Sequence, residues 1–114
     1  MNLSELKHCI REVLMEEAGF GDVRLADKWV GGEIVLVTKD PSLQEKRMPI
    51  NAFFHKVVLV REKLRVMEQR INSSSLSDAE KVQLQQYITK IYGSLTTFNI
   101  LFKDQKDKFV GEKA

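Results

Sequence analysis

Arg61, Arg65 and Glu68 recur at intervals of four and three residues, which on a helix sets two guanidinium groups and a carboxylate along one side. Tyr92, Thr96 and Asn99 repeat the same spacing further on, a row of hydroxyl and amide groups. If those two rows face each other, with Trp29 and Phe54 near their apolar end, the surface has the chemistry of a polar groove for a small ligand or a partner chain. The blander expectation is that Trp29, a β-ribbon and a first helix cover this surface. Arg61, Arg65 and Glu68 would then tie the ribbon down, and Thr96 and Asn99 would bond its backbone.

Other chemistry finds little footing. His8 and His55 lack a second histidine, cysteine or carboxylate at ligand spacing, so neither a metal nor a cofactor is expected. Cys9 stands alone next to Ile10 and reads as a small buried side chain. Gly31-Gly32 lacks the helix start that a phosphate loop needs, and suggests a bulge. Ser73, Ser74 and Ser75 sit in a polar connector with no base in reach. No catalytic residue is assigned, and the chain is not expected to be an enzyme.

Charge offers a rival. From Lys39 to Arg70 there are eight lysines and arginines against four acids, and Lys56, Lys63, Arg70 and Lys90 could meet successive phosphates of a nucleic acid. Glu62 and Glu68 dilute that field, no aromatics interleave with the lysines, and the whole chain carries only +2. A solvated cationic flank is the favoured meaning.

The elements that position these residues follow from periodicity. Asn2 and Glu5 resemble a capping box, Leu3, Leu6, Ile10, Val13 and Leu14 follow at helical spacing, and Gly19 suits a helix end. Residues 1–19 are thus expected to hold a first helix, over 3–18. Trp29 to Val37 is β-rich and closes at Lys39-Asp40-Pro41-Ser42, and Glu45 to Met48 stops at Pro49. Together 28–49 read as a β-hairpin.

Ile50, Phe53, Val57, Val60, Leu64, Met67 and Ile71 form one unbroken three-four seam; Leu84, Ile88, Ile91, Leu95, Phe98 and Phe102 form another. The link between them is the serine-rich stretch ending in the capping pair Ser77 and Glu80. Residues 50–102 should therefore fold as a long antiparallel helical hairpin carrying the core, with helices over 51–72 and 77–102. Tyr92-Gly93-Ser94 followed by Thr96, Thr97 and Asn99 is a poor helix former, and makes sense where another backbone comes close. The tail, 103–114, is mostly charged and expected to fray, save for Phe109-Val110.

The fold class expected is α+β, in a single domain of 114 residues with 43% hydrophobic and 30% charged composition. One cysteine and no membrane-length apolar run suggest a cytoplasmic protein without membrane contact. Apolar residues off the seams, namely Phe54, Val58, Leu59, Val66, Ile100 and Leu101, should stay partly uncovered and mark an interface. The expected function is a non-catalytic interaction or scaffold module, homodimeric, serving an unidentified bacterial protein partner. A weak nucleic-acid binder and a small-ligand domain are the alternatives.

Overall fold

The structure, a computed structural model, describes residues 2–18 and 23–111. Its architecture is α+β: an N-terminal helix, a two-stranded antiparallel ribbon, and two long helices that pack together. Gly19, read as the end of the first helix, and residues 112–114 lie outside the described part.

Helix α1 spans Leu3–Ala18. It starts where the sequence expects: the Glu5 amide donates to Asn2 Oδ1 at 2.7 Å, and the Asn2 amide donates back to Glu5 Oε2 at 3.4 Å. The side chains from Asn2 to Ile10 are all exposed, including the stripe of Leu3, Leu6 and Ile10. Cys9 is exposed too, where a buried thiol was expected. With Leu3, Leu6 and Ile10 all in solvent, its neighbour Ile10 lends it no cover.

The ribbon is shorter than its β-rich sequence suggests. Strand β1 covers Glu33–Leu36 and β2 covers Lys46–Pro49, in the register Glu33 to Pro49 and Leu36 to Lys46. Trp29 to Gly32 are not strand. A 3-10 turn at Asp27–Trp29 runs into Gly31, whose φ of 80° is a left-handed conformation that suits glycine. A β-carbon on Gly32 would lie 3.0 Å from the Trp29 carbonyl oxygen, so this pair makes a tight corner instead of the expected bulge.

Helix α2 spans Ile50–Asn72, with Pro49 in extended conformation at its cap. Helix α3 spans Asp78–Ser94 and begins at the complete capping box of Ser77 and Glu80. Two hydrogen bonds near the bend pin the antiparallel register: Gln85 Nε2 to Asn72 Oδ1 at 3.0 Å and Lys81 Nζ to the Asn72 carbonyl at 3.1 Å. The helical hairpin expected over 50–102 is therefore present, with one correction. The second helix does not run on to 102. It ends at Ser94, and Thr96–Leu101 tighten into a 3-10 helix. Thr96 returns its hydroxyl to the Gly93 carbonyl at 3.0 Å, one of the local bonds that compete with the α-helical ladder.

The core lies at one end of the hairpin. Val23, Ile50, Phe54, Val57, Val58, Leu101, Phe102 and Phe109 are buried together. Phe102 sits between Phe54 and Phe109, edge-on to both, with centroids at 5.3 and 5.6 Å. Residues 23–26 lie against the segment after α3. The Ala26 amide donates to the Leu101 carbonyl at 2.7 Å, and the Lys103 amide donates to the Arg24 carbonyl at 2.9 Å.

Candidate functional site

On α2 the buried positions are Ile50, Phe54, Val57, Val58, Arg61 and Leu64. That arc is rotated from the expected seam toward the Arg61 flank. At the Phe54 end Trp29 and Ile34 pack against the core, but the ribbon is not what covers Arg61. The charged tail covers it.

Phe109 enters the core, and Asn99 fixes the backbone around it from both sides. Asn99 Nδ2 donates to the Phe109 carbonyl at 2.9 Å, and the Phe109 amide donates to Asn99 Oδ1 at 2.7 Å. Arg61 Nε donates to the Asp107 carbonyl at 2.8 Å. Its guanidinium also pairs with Glu62 and approaches Asp107 Oδ1 at 3.7 Å. Gly111 lies on α3: a β-carbon there would fall 2.7 Å from the Gly93 nitrogen and would run into the Thr89 carbonyl oxygen. The helix-poor phrase around Gly93 thus marks a close backbone approach, as its composition suggests. The tail is bound, not frayed. Val110 alone of the Phe109-Val110 pair points outward, 80% exposed.

The eight residues assigned to the candidate ligand or partner surface divide accordingly. Arg61, Arg65, Glu68 and Tyr92 come together around a cavity of about 300 Å³, whose other wall is Lys106, Lys108 and Val110. Asn99 holds the tail. Phe54 is core, Thr96 bonds its own helix end, and Trp29 donates its indole N–H to the Ile100 carbonyl at 2.8 Å. Arg65 remains half in solvent and faces Glu62 at 3.5 Å. Arg61 already answers Asp107 and Glu62, so its own charge is met within the chain. The residues that sequence reasoning missed here are Asp107 and Gly111. A polar or glycine residue in a charged tail gives no sign of burial.

Tyr92 donates its phenol proton to Glu68 Oε1, joining α3 to α2. Burial first, and then this bond to a carboxylate, raise the Tyr92 phenol above its ordinary value. The folded chain therefore holds that proton at a pH where the unfolded chain, ionising near pH ~10, has released it. The stabilisation is complete below about pH 10 and is lost as pH rises beyond it. Tyr92→Phe should flatten this alkaline decline. Urea midpoints of both proteins between about pH 8 and 11 test it, and parallel declines would refute the assignment.

The other flank is different. Lys56, Lys63, Arg70 and Lys90, the candidate phosphate contacts, are all exposed. Between them the hairpin leaves seam residues open: Val60 at 44%, Met67 at 50%, Leu84 at 38% and Ile91 at 41%. Of the seam residues between these positions, Leu64 and Ile88 are buried. Near the bend, Lys63, Met67, Arg70, Ile71 and Leu76 line a groove of about 410 Å³. The expected interface residues need the same correction. Phe54, Val58 and Leu101 are covered by core, whereas Val66 and Ile100 stay exposed. Open apolar surface lies on the seam's own edge as well as at these two off-seam residues. Two helices alone close only one side of a seam.

Among the described residues, no group of three or more His, Cys, Asp or Glu could hold a metal ion. No described helix is long and apolar enough to cross a membrane. A family model described as Domain of unknown function (DUF8685) matches residues 20–108, and the chain belongs to that family. The match takes in the ribbon, the helical hairpin and the tail to Lys108, and leaves α1 outside. Neither a curated protein nor a solved structure matches the chain.

Proposed function

We propose that this family member is a non-catalytic protein-association module that works as a homodimer and scaffolds a protein partner. The observation supporting it is the open seam edge of Val60, Met67, Leu84 and Ile91. Aliphatic side chains left in solvent on adjoining helices are unfavourable in water, and open apolar surface of this kind usually marks an interface. The fold has spare anchoring to support such a surface. The tail, the aromatic cluster and the Tyr92–Glu68 bond secure the opposite face, so the exposed edge can be covered or uncovered without unfolding the core.

The cationic row beside the strip gives it electrostatic character. Lys56, Lys63 and Arg70 stand one heptad apart on α2, and Lys90 is exposed on α3. Such a border favours a partner surface of negative sign and sets the rate and specificity of encounter more than affinity. The setting proposed is cytoplasmic, where the exposed thiol of Cys9 stays reduced.

Light scattering on a dilution series tests this reading. The expected result is the mass of two chains at high concentration, falling toward one on dilution. A single-chain mass at every concentration would remove the homodimer.

A further inference from the structure

Two surfaces in this molecule have the same design and opposite charge. On α1, Leu3, Leu6 and Ile10 form a stripe that is 66%, 46% and 50% exposed. On the hairpin, Val60 with Met67 and Leu84 with Ile91 form the open edge described above. All three rows repeat at one heptad: Leu3 to Ile10, Val60 to Met67, Leu84 to Ile91. Rows of equal period are what allow the side chains of one helix to fit between those of two others.

Charge agrees with this fit. The α1 sequence holds four glutamates against Lys7 and Arg11, so it is acidic overall. The hairpin edge is bordered by Lys56, Lys63, Arg70 and Lys90. The acids nearest to it on α2 are engaged on the other flank, Glu62 by Arg61 and Glu68 by Tyr92. Length agrees as well. A helix of 16 residues spans about 24 Å, more than the roughly 16 Å from Val60 to Ile71.

We propose that the open edge of the α2–α3 hairpin receives the α1 helix of a second copy, with each chain giving its own α1 in return. Within its own chain α1 leaves Leu3, Leu6 and Ile10 in water, so the complementary edge must come from elsewhere. Reciprocal exchange about a two-fold axis fills both edges and leaves none open for further growth, which yields a closed dimer and not a filament. The proposal rests on the association reading above and names what occupies the surface. It also gives α1 a role, since that helix lies outside the span matched by the family.

Two double variants of the full chain test it. Leu6→Asp with Ile10→Asp breaks the α1 stripe; Met67→Asp with Ile91→Asp breaks the edge. All four positions are at least 41% exposed, so the fold should survive, and circular dichroism with urea melts verifies that it does. The expected result is that light scattering reads each variant alone as one chain. An equimolar mixture should regain a dimer containing one of each, because the intact edge of the first accepts the intact α1 of the second. A dimer that survives the α1 changes but not the edge changes would overturn this inference and leave the association reading standing. Wild-type chain that is monomeric throughout would overturn both. Two monomeric variants that never combine would overturn the exchange.

Discussion

Phe109→Ala should lower the free energy of unfolding by about 3–5 kcal/mol, the range for removing a buried aromatic side chain from a packed core. Phe109 is 4% exposed, and its ring meets Phe102 edge-on at 5.6 Å and lies 6.1 Å from Tyr92. Deleting it takes one member from an aromatic row and leaves a cavity between α2 and the 3-10 helix, which cannot close without moving Phe102. The loss extends to polar groups. With no ring to seat the tail, the two Asn99 hydrogen bonds and the Arg61 bond to Asp107 lose their partners' fixed positions. Equilibrium urea denaturation, followed by Trp29 fluorescence, reads the effect as a lower midpoint. A truly frayed tail would give a change within about 0.5 kcal/mol, and that result would show that residues 103–111 do not belong to the core.

That a tail residue should carry such weight was only faintly legible. Phe109-Val110 stood out in a charged stretch, but nothing in its spacing said where it would dock. Helical periodicity is a local signal: it sets α1, α2 and the start of α3 almost residue by residue, because each turn repeats the same contact. The route of a short irregular segment depends on long-range packing, which leaves no period behind. The same limit explains the seam. The three-four spacing shows that Val60, Met67, Leu84 and Ile91 could be buried between two helices, and it cannot show how far each helix is rotated. Here the aromatic cluster of Phe54, Phe102 and Phe109 claims the Phe54–Val58–Arg61 side of α2. The helix turns toward it, and the far edge of the seam comes out into solvent. The early end of α3 was foreshadowed by Gly93, Thr96 and Asn99, all weak helix formers, but the apolar spacing through Phe98 and Phe102 argued for continuation. For the candidate site, Arg61, Arg65, Glu68 and Tyr92 were grouped from register alone and do meet. Their neighbours Lys106 and Lys108 were not legible, because they arrive with the tail.

Arg61→Met is expected to cost about as much as the loss of Phe109, for a different reason. The Arg61 side chain is 10% exposed and that of Asp107 is 7%, so the pair lies at the boundary where neither charge is freely hydrated. Asp107 Oδ2 finds no hydrogen-bond donor among the described residues, which leaves Arg61 as the main compensation for that carboxylate. Methionine matches the stem of arginine in shape but supplies no charge, so the variant keeps a buried acid without its cation. Breaking one partner of such a pair costs about 3–5 kcal/mol. The explanation makes a second demand that simple loss of packing does not. Replacing both partners, as Arg61→Met with Asp107→Leu, should recover much of the stability, because no buried charge is then left uncompensated. Urea melts of the two single variants and the double variant form a cycle that isolates this coupling. If the double variant is as unstable as the sum of the singles, the charges act independently. Arg61 would then hold the tail only through its bond to the Asp107 carbonyl.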